Sequence, residues 1–112
     1  MTVFIEKFKC MYHGGLVPVI GKIYLLNNHV CFASKLDANT LFGKSTDIKI
    51  PIEEIIRSEL TNELLLGHSL DLFLTDKRKL HFSSFSNGLN TAHEIIMNML
   101  ESAHFKKEQK II

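Results

Sequence analysis

The chain has no excess of charge, few cysteines and no long apolar run. Its 13 Lys and Arg residues against 12 Asp and Glu leave a formal net charge of +1. No global field therefore advertises nucleic acid as a partner. Only two cysteines occur, Cys10 and Cys31, both inside apolar strand-like stretches. They read as free buried thiols in a reducing compartment, with a disulfide between adjacent strands as the alternative. No apolar run reaches the ~18 residues that a membrane span needs. Glu6, Lys7 and Lys9 stand where a signal peptide would have its apolar region. The expectation is a soluble, cytoplasmic protein.

Catalytic and metal-binding patterns are also missing. Gly14-Gly15 has no Lys-Ser/Thr after it, so it is no phosphate-cradling loop. His29-x-Cys31 with Cys10 lacks the paired short spacings of a structural zinc site. The other histidines, His13, His68, His81, His93 and His104, are scattered along the chain. Glu53-Glu54 is a carboxylate pair on a turn and reads as solvated. No nucleophile, base or metal set is assembled by spacing, so no catalytic residue, metal or cofactor is expected.

What is present is a globular composition. The 112 residues suit one domain, with 46% hydrophobic and 22% charged residues. The organising stretch is 21–34, where two alternating apolar runs flank Asn27-Asn28. Asparagine tolerates positive φ, so this pair suits a type I′ hairpin turn. A first strand is expected over 3–12, broken by His13-Gly14-Gly15 and held extended before Pro18. Residues 35–43 form a loop carrying Leu36, Leu41 and Phe42. Residues 44–50 alternate again, and Pro51, with no N–H to donate, is expected to stop the ladder. Residues 52–56 could form a helical turn or enter a strand ending near Leu60, followed by a leucine-rich connection over 61–68. Strands follow over 69–74 and 79–85, around a polar tip at 75–78.

After Ser86 the period changes. Leu89, Ala92, Ile96, Met99 and Ala103 lie three or four apart and make one apolar helix stripe. Ser86, Asn87 or Asn90 could cap its start. Lys106 and Lys107 are placed after its end, with 106–112 as a tail behind a single domain over 1–105. Seven strands and one helix predict a mainly β fold, an antiparallel, strongly bent sheet with an amphipathic helix plugging its open end.

In five ordered stretches the chain resembles the GRAM family, a branch of the pleckstrin-homology-like superfold. These are Phe8-Lys9-Cys10; Gly21 to Leu25; Asn28 to Phe32; Phe42 to Thr46 with Ile48, Ile50, Pro51 and Ile55; and His81 to Ser86. The resemblance implies a PH-like, seven-stranded bent sandwich capped by a C-terminal helix. Two departures stand out. Gly88-Leu89 lie near the place of the family's usual Arg-Asp, and a few extra residues precede Phe42-Gly43. Such domains usually sit inside longer proteins, and this one ends shortly after its helix, as a minimal adaptor or an excised portion would.

In pleckstrin-homology-like domains the corresponding loops ring an anionic lipid site. The resemblance therefore implies a lipid site among Lys9 and Lys22 near the first loop, Lys35 and Lys44 around the third, and Lys77, Arg78 and Lys79 on the late hairpin. Several converging cations would be needed to hold a phosphorylated head group. Tyr24 stands where strong phosphoinositide binders tend to place a basic residue. Leu41 and Phe42 could dip into the membrane beside those cations. The expected function is a non-catalytic, peripheral membrane module binding phosphoinositide or phosphatidylserine. The alternative is a protein-interaction adaptor using a sheet edge or a helix flank.

Overall fold

The computed structural model describes residues 2–34, 46–63 and 67–111. Seven strands make one antiparallel sheet: β1 (Phe4–Tyr12), β2 (Val19–Leu26), β3 (His29–Ser34), β4 (Asp47–Pro51), β5 (Ile55–Glu63), β6 (Gly67–Leu74) and β7 (Lys79–Ser83). Among the described residues a 3₁₀ turn, Ile52–Glu54, joins β4 to β5, and one helix, α1 (Leu89–Ile111), follows β7. The strand order is β4-β3-β2-β1-β7-β6-β5. This is the mainly β, helix-capped architecture expected from the PH-like resemblance.

The sheet has two halves and a thin seam. β1 pairs with β2 from Phe4↔Leu26 to Tyr12↔Val19. It pairs with β7 only at Met11↔Ser83 and Tyr12↔Phe82. That short contact lets the β1–β4 half fold over the β5–β7 half around a common core. Inward positions follow the period of two: Val19, Ile23 and Leu25 on β2, and Leu70, Leu72 and Leu74 on β6, are buried. Three aromatic rings lock the seam from inside. Tyr12 lies 5.6 Å from Phe32 and 5.3 Å from Phe82, and Phe32 and Phe82 are 5.7 Å apart.

The helix stripe covers this core. Ala92, Ile96, Met99 and Leu100 are buried, with Leu89, Ile95 and Ala103 packed beside them. Its polar tie to the sheet is the 2.9 Å bond between His93 Nδ1 and the Ser58 hydroxyl on β5. The cysteines are free thiols, and their strands do not face each other at those positions, since Cys10 pairs with Gly21 and Cys31 with Tyr24.

Several local expectations are corrected. Among the described non-glycine residues only Lys77 and Ser84 have positive φ, so Asn27-Asn28 is not a type I′ turn. Hydrogen bonding sets its shape instead. Val3 N–H donates to Asn27 Oδ1 (2.7 Å), Asn27 N–H to the Val3 carbonyl, and Ile52 N–H to the Asn28 carbonyl. β4 continues through Pro51, which pairs with His29; this is an edge strand, where a missing donor is tolerated. The helical turn and the strand expected after Pro51 both form, and β5 extends past Leu60 to Glu63. β7 ends at Ser83, because Ser84 turns into the left-handed region at φ 54°. At the helix start, Ala92 N–H bonds the carbonyl of Gly88 (2.8 Å), so Gly88 holds the N-cap position rather than Ser86, Asn87 or Asn90. The helix runs on to Ile111 through the Lys106-Lys107 pair expected beyond it. Lys, Glu and Gln there are good helix formers, and propensity carries the turns onward.

Candidate functional site

Strand register places two connections at one end of the first half. Tyr12 pairs with Val19, Gly21 with Ser34 and Ala33 with Asp47, so the 13–18 connection, the end of β3 and the start of β4 lie at that end. β7 runs antiparallel to β1, and His13 N–H donates to the His81 carbonyl (2.9 Å). The 75–78 turn before β7 begins at Thr75, which lines a cleft with Asn27, Asn28 and Ile52. That turn is closed by Leu74 N–H to the Arg78 carbonyl, with Lys77 at φ 74°. Thr75 N–H donates to the Glu54 carbonyl and ties the turn to the 3₁₀ segment.

Lys9 and Lys22 are brought together as direct cross-strand partners. Their neighbours Phe8, Cys10 and Ile23 are buried, so both lysines project from the outward face. On the same face Lys22 is in register with Ala33, and Ala33 with Asp47, so a carboxylate of β4 lies two strands from the pair. Lys77 and Arg78 on the turn before β7 and Lys79 at its first position are exposed, in the other half of the sheet. Arg78 is not a bare cation there. Its Nε lies 2.6 Å from Asp76 Oδ2. The backbone N–H of Arg78, then its side chain, hold the Asp76 carboxyl below its usual range. Lys35, Lys44, Leu41 and Phe42 lie outside the described residues.

Two features escaped sequence reasoning. The first is an apolar tip on the 13–18 connection. Leu16 is fully exposed at 103%, Val17 at 67% and the adjoining Ile20 at 52%. Its signal was the Leu-Val pair enclosed by Gly15 and Pro18, since breakers on both sides lift side chains off a sheet.

The second is a polar chain along the outward side of the seam. The Thr61 hydroxyl donates to Asp71 Oδ2 (2.8 Å), and Asp71 Oδ1 meets His81 Nδ1 at 2.5 Å. The His81 ring stands edge-on to His13 at 5.1 Å, and His13 Nε2 bonds the Ser83 hydroxyl. The chain reaches from β5 across β6 and β7 to the end of β1, and so reinforces the join that only two residue pairs make. It is not arranged as a nucleophile relay. The imidazole bonded to Asp71 is not the one bonded to Ser83, and Ser83 is fully buried. Among the described residues no group of three His, Cys, Asp or Glu side chains is placed to hold a metal ion.

A cleft of about 620 Å³ opens between Asn27-Asn28, the 3₁₀ turn and the later part of α1, with Ile52, Ile55, Met99 and Leu100 in its wall. Another of about 570 Å³ lies at the start of α1, beside Ser84, Phe85 and Leu89. Neither touches the Lys9–Lys22 pair. Among the described residues no helix is long and apolar enough to cross a membrane.

Comparison with known proteins agrees with this architecture. The chain is 31% identical to a sterol 3-beta-glucosyltransferase of Candida albicans, over 91% of its own length. It spans only 7% of that enzyme, so the likeness does not extend to the enzyme as a whole. A crystal structure of the C-terminal domain of an unknown protein from Leishmania infantum has the same fold, with a TM-score of 0.75 at 15% identity, covering 88% of this chain and 84% of that one. The family model for the GRAM domain matches residues 2–105, and the chain belongs to the GRAM domain family.

Proposed function

We propose that this domain is a non-catalytic module that docks on anionic membrane lipids, phosphoinositide or phosphatidylserine, through its basic outward face. Membership of the GRAM family is compatible with a membrane-associated or protein-interaction module. The observation that favours lipid is the direct cross-strand pairing of Lys9 with Lys22 on the outward face, two cations within reach of one anionic head group. Exposed Lys77 and Lys79, in the other half of the sheet, offer further cations. Each Lys near an anionic leaflet contributes about 1 kcal/mol.

The test is sedimentation with neutral, phosphatidylserine and phosphoinositide vesicles at low and high salt. Binding should rise with anionic lipid and fall with salt. The double reversal K9E/K22E should weaken it at least about tenfold. Unchanged binding of that variant overturns the site assignment, and absence of native binding overturns the lipid reading.

A protein-adaptor reading has its own support. Residues 4–7 of β1 pair with β2 alone and carry exposed Phe4 and Ile5, an edge to which another strand could add. Lipid-free capture of a partner that survives high salt and is lost on Phe4→Lys would favour it.

A further inference from the structure

We propose that the 13–18 connection is a membrane-inserting tip, with Leu16 and Val17 entering the edge of the hydrocarbon layer while Lys22 and Lys9 meet the phosphates above it. This deepens the lipid reading and rests on it. The occupant is a bilayer rather than a protein groove because of the order of chemistry along the outward face. Leu16 and Val17 stand at the extremity, Ile20 follows at the first outward position of β2, and Lys22 is next on the same face. Ile20 faces Met11 and Lys22 faces Lys9 across the ladder, so both strands repeat the change from apolar to cationic. A leaflet presents the same order, hydrocarbon first and phosphate outside it.

The dimensions agree. Three residues of strand separate Val19 from Lys22, about 10 Å. The head-group layer of one leaflet is about 5–8 Å thick, and a lysine stem reaches several ångströms further by snorkelling.

The tip is also presented on a firm base. Val19 is buried, and the Tyr12 ring packs between Phe32 and Phe82. His13 is held at its backbone by His81 and at its ring by Ser83. Both ends of the connection are therefore fixed, which limits the ordering cost of contact to the residues between them. Leu16 has no packing role to lose, since nothing covers it.

The protein contains no tryptophan, so Leu16→Trp places a single indole reporter at the tip. On vesicles of phosphatidylcholine with phosphatidylserine, its emission should shift to the blue. Lipids brominated on the acyl chain should quench it. Separately, L16S/V17S should bind the same vesicles about 10- to 100-fold more weakly, with most of the loss in the part of the binding that survives high salt. Both variants change exposed residues, and an unaltered melting temperature confirms the fold. If the protein sediments with vesicles while the indole emission stays that of water and L16S/V17S binds normally, insertion is overturned and the electrostatic reading stands. If the native protein sediments with no vesicle, both fall.

Discussion

Replacing Gly88 by alanine tests how the start of the helix is seated on the sheet. Gly88 has φ 79°, a left-handed conformation that costs an ordinary residue about 1–2 kcal/mol. A Cβ there would also lie 2.4 Å from two carbons of the Phe8 ring. Phe8 is buried at 8%, so its ring must move within a packed core, an overpacking cost of about 1–3 kcal/mol. Alanine restricts the unfolded chain and returns about 0.4–1 kcal/mol. The net expectation is a loss of about 1–4.6 kcal/mol, centred on ~3, a large share of the ~5–15 kcal/mol typical of a domain. Urea unfolding should show a lower midpoint with an unchanged slope. The steric and conformational parts separate in a Phe8→Leu background, where the smaller side chain can yield and only the conformational part should remain. A loss under about 1 kcal/mol in the native background would refute the placement of Gly88. An equal loss in both backgrounds would refute the contact with Phe8.

Two further outcomes follow from buried groups. Burial pushes the Cys10 thiol from its ordinary 9.0 up to about 12. Its folded value is raised, so the stabilisation is complete below pH 9 and is lost as pH rises toward 12. By pH 11 that is about 3 kcal/mol, and Cys10→Ala should flatten this part of the alkaline stability profile. An aromatic disulfide reagent should react with Cys31, whose thiol is only half-buried, before Cys10, which should wait for unfolding. Asp71→Ala removes the acceptor of both Thr61 and His81, which should cost about 1–3 kcal/mol. Hydrogen exchange should then quicken at 11–13 and 81–83 before it does in the β2–β3 ladder; uniform exchange would show that the polar chain does not stitch the seam.

Most of the architecture was legible because burial imposes short periods on sequence. The alternation in 21–34 and 69–74 predicted strands whose inward sets, Ile23 with Leu25 and Leu70 with Leu72, are fully buried. The helix stripe from Leu89 to Ala103 was read from its spacing alone. What failed was decided by partners distant in sequence. Asn27-Asn28 has the composition of a type I′ turn, but bonds to Val3 and Ile52 override local preference. The N-cap choice failed similarly: three capping residues stand near the helix start, and the position went to Gly88, against which the Phe8 ring lies too close for a Cβ. The long β5 was hidden because its last three residues, Thr61-Asn62-Glu63, are polar and show no apolar alternation.

The candidate site divides along the same line. Lys9 and Lys22 could be placed in the same region from the family pattern, and the register makes them neighbours. The apolar tip had only a local signal, the breakers around Leu16-Val17, because exposure is a property of the whole fold. Leucine and valine beside a proline look like strand residues, and only the pairing of Tyr12 with Val19 shows that 13–18 lie outside the ladder. The polar chain escaped for a related reason. Thr61, Asp71, His81 and His13 are spread over four segments, and only antiparallel register brings Asp71 opposite His81. On the proposed membrane reading, its position joins the tip to the sheet that carries the cationic face. His13 belongs both to the base of the 13–18 connection and to the chain that reaches Asp71, so the loop is anchored to β7 as well as to its own hairpin. A seam of two residue pairs would by itself let the halves hinge there, and a hinging loop would dissipate the apolar gain of insertion in ordering cost. The polar side chains on the outward face of the seam therefore serve the membrane reading indirectly, by holding the loop at the sheet's edge while Leu16 and Val17 remain free of packing.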